Sequence, residues 1–263
     1  GPGGGARRGG AGGTRGYHAE QAREHKDPLV ASQAAKLAAY LKDPILATEL
    51  GEIWLEGEPT SRDARQLLAL SYIEQGERDK AAAQIDELMK DDPQRALVEL
   101  VSQAHNLDEA SSVQLLAALG SLTDRYPDQA PLWYARALNL EMEQQPLLAL
   151  SACEQATKLD PTHEDSMLLK ARLLHQLERD AEAEQFLRKS LRKMPEAKRV
   201  RVLYTRLLIQ TNQLDKAGEQ LRYLNDNYPD DQDLRLSLAL LSMEQGNSSV
   251  GRATLEELLE QDY

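Results

Sequence analysis

From residue 28 onward, apolar side chains fall at helical spacing in short stretches that are closed by polar breaks. "ARQLLALSYIEQ", then "GERDK", then "AAAQIDELMK" is one instance. Apolar residues three and four apart define one face of an α-helix. Each stretch is too short to hold a helix alone, so neighbouring stretches are expected to pack as helical hairpins. Prolines punctuate the pattern. Pro59, Pro93, Pro127, Pro161, Pro195 and Pro229 stand at five successive intervals of 34 residues. Helical stretches such as "DKAAAQIDELMKDDP", "LALSACEQATKLDP", "AEAEQFLRKSLRKMP" and "KAGEQLRYLNDNYP" run up to them. A proline lacks the amide donor and clashes backward, so these positions are predicted to mark helix ends.

Counting each unit so that its proline is position 32, small residues recur at position 8: Ala35, Ala69, Ala137, Ala171 and Ala239. They recur again at position 20: Ala47, Ala81, Ala149, Ala183, Ala217 and Gly251. Small side chains let two helices approach closely, while Leu68, Tyr72, Ile85 and Leu88, or Trp133, Leu140, Cys153 and Ala156, fill the remaining contact. These small, large and proline positions within 34 residues resemble the tetratricopeptide repeat. The resemblance implies an all-α, right-handed superhelical solenoid of stacked two-helix repeats, with seven units at 28–61, 62–95, 96–129, 130–163, 164–197, 198–231 and 232–263.

Departures from the pattern carry expectations of their own. Gln103 and Leu115 replace small residues in unit 96–129, and Pro131 opens the next unit, so looser or re-angled packing is expected there. In the first unit Pro44 falls between the two helices. Residues 17–27 read as the back half of a preceding helix. The last unit stops where its proline would stand, and solenoids need capping ends, so the sequence reads as part of a longer array. Residues 1–16, "GPGGGARRGGAGGTRG", are too glycine-rich to order and read as a linker or cloning remnant.

Charge narrows the choice of partners. With 43 acidic against 31 basic residues the chain is not built all over for nucleic acid. Yet "RKSLRKMPEAKRVRVLYTR", residues 188–206, holds eight cations and one acid. In the repeat family first helices line an inner groove, mainly through positions 2, 5, 9, 12 and 13, and second helices form the outer wall. That frame places Arg188, Lys189, Arg192 and Lys193 outside. Arg172, Arg199 and Arg206 are placed inward, with Tyr134, Leu138, Met142, Leu168, His175, Val202, Ile209, Leu236, Leu240 and Met243 around them. Apolar side chains beside guanidinium groups suit an extended peptide, whose carboxylate can be gripped by paired hydrogen bonds. The alternative is that the apolar residues pad inter-repeat packing and the arginines pair with acids such as Glu141 or Asp165. A nucleic-acid reading of the 188–206 strip lacks stacking aromatics nearby.

No chemistry is legible. None of His18, His25, His105, His163 and His175 has a second His or Cys three or four residues away to make a metal or catalytic pair. In "PTHEDS", Thr162 with Asp165 reads as a helix cap. The lone Cys153 sits at a packing position and cannot form an internal disulfide. No catalytic residue, metal or cofactor is expected, and no small-molecule substrate.

A closer likeness lies in "YHAEQAREHKDPLVASQAAKLAAYLKDPILATELGEIWL", "YPDQAPLWYARAL", "LLKARLLHQLERDAEA", "RVLYTRLLIQTNQLDKA" and "YPDDQDLRLSLALLSMEQG". Together they resemble the repeat region of Gram-negative outer-membrane tetratricopeptide lipoproteins. That resemblance implies a non-catalytic adaptor on the periplasmic side of the outer membrane. Its partners would be a carboxyl-terminal processing protease and the cell-wall hydrolases presented to it, and its only membrane link a lipid anchor outside this sequence. A generic repeat assembly subunit or a co-chaperone-like peptide binder is the competing expectation, and a cytoplasmic setting stays open.

Overall fold

The structure, a computed structural model, describes residues 19–244. The glycine-rich start, His18, Gly251 and the end of the seventh unit lie outside the described residues. Every described element is helical, and the helices fall into two compact units, the chain dividing between Gln145 and Pro146.

The first unit holds helical residues 19–25 (α1), then Pro28–Tyr40 (α2), Pro44–Gly57 (α3), Arg62–Glu74 (α4) and Arg78–Leu88 (α5). Pro93–Gln103 (α6), a short 3-10 turn at Ala104–Asn106, Glu109–Arg125 (α7) and Ala130–Met142 (α8) complete it. Its hairpins are α2 with α3 and α4 with α5, and α3 packs on α4. Ala19 and Ala22 of α1 share a core with Ala31, Ala35, Leu50 and Trp54, so α1 occupies the place of a preceding helix. Pro44 lies at the first turn of α3, where its missing amide costs nothing and Asp43 caps the Leu46 amide.

The second unit consists of Pro146–Leu159 (α9), Glu164–Gln176 (α10), Asp180–Lys193 (α11), Lys198–Gln210 (α12), Leu214–Asn227 (α13) and Gln232–Glu244 (α14). Each of these helices packs on the next, and α10 also lies beside α12. The small residues sit where close approach requires them. Ala35, Ala69, Ala137, Ala171 and Ala239 are buried, as are Ala47, Ala81, Ala149, Ala183 and Ala217.

Two features depart from the regular repeat pattern, the first of them against the sequence expectation. Pro59, Pro127, Pro161, Pro195 and Pro229 follow helices as predicted, but Pro93 opens α6, with Asp92 capping the Arg95 amide. The segment 96–129 is also not a regular hairpin: α7 packs against α4, α5 and α8, and α6 against α5 and α8. Leu115 explains this. It is fully buried with Leu119 and Leu122 against Leu97, Leu100 and Leu132, and so fills the space a small residue would leave for a close hairpin.

A second 34-residue period, silent in the sequence, runs through the turns. Lys42, Gly76, Gln144, Glu178 and Asn212 all have positive φ, between 55° and 74°. The next amide in each case donates back to the preceding helix, as from Arg179 to the Leu174 carbonyl at 2.8 Å and from Gln213 to Leu208 at 2.7 Å. These bonds satisfy helix-end carbonyls. The period skips the irregular segment, where Ala110 lies inside α7.

Candidate functional site

In the second unit the first helices of the repeats are α10, α12 and α14. Leu168, Arg172 and His175 lie along one side of α10, Arg199, Val202, Arg206 and Ile209 along one side of α12, and Leu236, Leu240 and Met243 along one side of α14. Leu236, Leu240, Met243 and Ile209 are among the most exposed large apolar side chains of the unit, with Leu240 at 51%. Leu168, His175 and Val202 are half-buried, while Arg172, Arg199 and Arg206 are exposed.

The three arginines are not equivalent. Arg199 Nη1 lies 2.7 Å from Asp165 Oδ1, tying α12 to α10 by a local ion pair with the acid that the sequence offers it. Arg206 forms no hydrogen bond or ion pair among the described residues. His175 Nδ1 is 2.6 Å from Asp180 Oδ1, so the imidazole links the end of α10 to the start of α11. The remaining expected residues, Tyr134, Leu138 and Met142, belong to α8 in the first unit; Tyr134 is buried, Leu138 half-buried and Met142 exposed.

The basic strip at 188–206 divides by role. Arg188, Lys189, Arg192 and Lys193 are exposed on α11, a second helix. Lys198 Nζ reaches Asp231 Oδ2 at 2.7 Å and lies 4.5 Å from the Tyr228 ring centre; it holds the Asp231 carboxyl below its ordinary range. Arg201 is buried, with its guanidinium 3.6 Å from the Tyr223 ring centre. It donates to Gln220 Oε1 at 2.6 Å and to the Pro195 carbonyl at 2.8 Å. Arg65 makes the same pair of bonds, to Gln84 and Pro59, and Trp133 donates to the Pro127 carbonyl. Position 4 of these repeats therefore anchors the turn that carries the proline. Arg201 is a structural side chain within a strip that reads as a surface.

In the first unit the corresponding helices α2, α4 and α6 line an open cleft of about 720 Å³, with Lys36, Tyr40, Lys42, Leu67, Leu70 and Glu74 among its walls. Tyr40 is 83% exposed at its rim. Lys36 pairs with Asp63, and Lys42 with Glu74, so the walls present matched charges around an apolar centre. A volume of this size suits a side chain or small ligand. No apolar run in the sequence marks it, because it is built from single residues on three helices.

The cap at the start of α10 is corrected. His163, not Thr162, is the capping residue: its Nδ1 accepts from the Ser166 amide at 3.2 Å. Thr162 instead donates its hydroxyl to Asp160 Oδ1 at 2.7 Å, which lowers the Asp160 pKa. Cys153 is fully buried and its thiol donates to the Ser166 carbonyl at 3.1 Å, the environment of a packing residue. Among the described residues no group of three or more His, Cys, Asp or Glu side chains could hold a metal ion, and no helix is long and apolar enough to cross a membrane.

Comparison with known proteins bears on the same helices. Sequence profiles described as "Tetratricopeptide repeat" match residues 63–95, 134–198 and 181–230. A curated TPR repeat-containing protein of Pseudomonas aeruginosa is 31% identical over 185 residues, which is 70% of this chain and 31% of that protein. The chain thus spans about a third of that relative's length. Among solved structures, MamA from Desulfovibrio magneticus RS-1, residues 41 to the end, aligns with a TM-score of 0.50 at 16% identity, over 65% of this chain and 96% of its own. A double mutant of MamA RS-1 gives 0.51 at 16% identity, over 65% and 95%. These two likenesses concern the fold.

Proposed function

The chain is a tetratricopeptide repeat protein, and from that premise we propose that it is a non-catalytic binding scaffold whose first-helix face in the second unit receives an extended segment of a partner protein. The observation that carries this reading is the exposure of large apolar side chains on the first helices, Ile209 on α12 together with the unpaired Arg206, and Leu236, Leu240 and Met243 on α14. First helices already buried against their partners have no folding need for exposed Leu, Met and Ile on the far side. Arg206 can grip a carboxylate through two parallel hydrogen bonds while the apolar side chains receive its neighbours. Each charge-assisted bond contributes on the order of 1.5 to 3 kcal/mol.

More specifically, the protein acts as an adaptor at the periplasmic side of the outer membrane. It binds a carboxyl-terminal processing protease and presents cell-wall hydrolases to it. The residue runs that resemble the outer-membrane lipoproteins support this finer reading. Affinity purification of the full-length protein from its native cell tests it, using wild type and Arg172→Glu/Arg206→Glu side by side. The protease and hydrolases should co-purify with wild type and be depleted with the double variant at unchanged helical circular dichroism. Recovery of other proteins alone would refute the adaptor role, and equal recovery with the variant would refute the site.

A further inference from the structure

A second surface, on the opposite class of helices, has its own chemistry. Exposed Lys158 on α9 and exposed Arg188, Lys189, Arg192 and Lys193 on α11 form no hydrogen bond or ion pair among the described residues. Arg188 lends its field to Tyr204 and to Glu184, the latter already held by Gln213 and Lys216. In a chain whose acids outnumber its bases, such a run of unmatched cations asks for a cause. Helix ends supply part of one: Lys158, Arg192 and Lys193 lie in last turns, where cations offset the helix dipole. That leaves Arg188 and Lys189, a turn earlier, unexplained.

Between α9 and α11 runs a cleft of about 260 Å³, with α10 behind it. Met167 of α10 and Phe186 of α11 supply its apolar part, and Lys158, Lys189 and Lys193 its rim. One carboxylate also lines it: Glu154, whose Oε1 is 3.5 Å from Lys170 Nζ. We propose that this cleft docks an acidic peptide segment of a partner protein, its carboxylates meeting Lys158, Lys189 and Lys193 and an intervening apolar side chain entering toward Met167.

Charge complementarity sets the sign of the occupant, and two observations decide between kinds of anion. One face of the Phe186 ring is covered by Lys170 Nζ at 4.6 Å from its centre, and one face of the Tyr223 ring by Arg201 at 3.6 Å, so neither ring can be sandwiched between successive nucleobases. The exposed positions of α11 carry no large apolar side chain to enter a bilayer. A peptide can place its charges at the basic end alone and use the cleft. The surface belongs to second helices, so it does not rest on the groove reading of α10, α12 and α14.

Fluorescence anisotropy of the full-length protein tests the proposal. The probes are a labelled peptide alternating Glu with Leu, its Gln counterpart, labelled oligo-dT and phosphatidylglycerol vesicles. The Glu peptide should bind, weaken with salt, and lose roughly tenfold in affinity in Lys189→Glu/Lys193→Glu. Lys189→Arg/Lys193→Arg should retain binding, and so should Arg172→Glu/Arg206→Glu, which separates this surface from the groove. No binding of the Glu peptide, equal binding of the Gln peptide, tighter binding of oligo-dT or vesicles, or indifference to the Lys-to-Glu changes would each overturn it.

Discussion

Replacing Arg201 by Met removes a cation from the most basic stretch of the chain, and the structure says the result is lost stability, not altered surface charge. Three contacts disappear. The guanidinium leaves the Tyr223 face, 3.6 Å from its centre, and gives up its bonds to Gln220 Oε1 and the Pro195 carbonyl. A partly desolvated cation–π contact is worth about 1 to 2 kcal/mol, and hydrogen bonds from a charged donor about 1.5 to 3 kcal/mol each. Two effects offset these. Pro195 is exposed and Gln220 half-buried, so both acceptors regain water, and Arg201 Nε is buried with no partner in the native state, a cost that Met abolishes. The net loss is about 2 to 3 kcal/mol, below the roughly 4 to 8 kcal/mol that the three contacts would sum to, because these offsets cancel much of it. Stacked repeats open locally, so amide exchange read by mass spectrometry is the suitable assay. Peptides from α12 and α13 should exchange about 30 to 140 times faster, since 1.4 kcal/mol is tenfold. Arg199→Met, which breaks only an exposed pair, should change the same peptides by less than about fivefold. A change of under about threefold in Arg201→Met would refute the assignment of this arginine as a turn anchor.

Two further outcomes follow from the turns and the carboxylates. Glu178→Gly should raise the urea midpoint, with a gain of about 0.5 to 1 kcal/mol, because φ of +58° strains any residue bearing a Cβ and the side chain is exposed; a lowered midpoint would contradict the strain argument. The carboxyls of Glu49, Glu184 and Asp231 all titrate below their ordinary values, held by Arg23, by Gln213 and Lys216, and by Lys198 respectively. A depressed folded pKa gives stability that is present above the unfolded pKa and lost as pH falls through the folded one. Helical signal in moderate urea should therefore hold at neutral pH and fall below the ordinary carboxylate range, less steeply in Glu184→Gln; an identical acid limb in that variant would count against the Glu184 contribution.

What the sequence disclosed and what it hid have physical causes. The two small positions were legible because close helix approach tolerates little beyond Ala or Gly, so Ala69 and Ala81 repeat through the chain. Leu115 announced the irregular segment for the same reason. The left-handed turn residues were hidden, since Lys42, Gln144, Glu178 and Asn212 tolerate positive φ at modest strain and only Gly76 advertises it. The His163 cap is hidden because a ring nitrogen performs what a hydroxyl usually does. Arg201 was hidden in a run of cations, its fate decided by burial beside Tyr223. The cleft of the first unit has no sequence signature because Lys36, Tyr40, Leu70 and Glu74 meet only once three helices are assembled.

Site-specific photo-crosslinking in the native cell bears most directly on the central claim. A benzophenone side chain at Leu240 or Arg206 should yield a crosslinked partner protein, whereas one at exposed Asp226 of second helix α13 should yield none. Crosslinks at Asp226 with none at Leu240 and Arg206 would contradict a first-helix binding face.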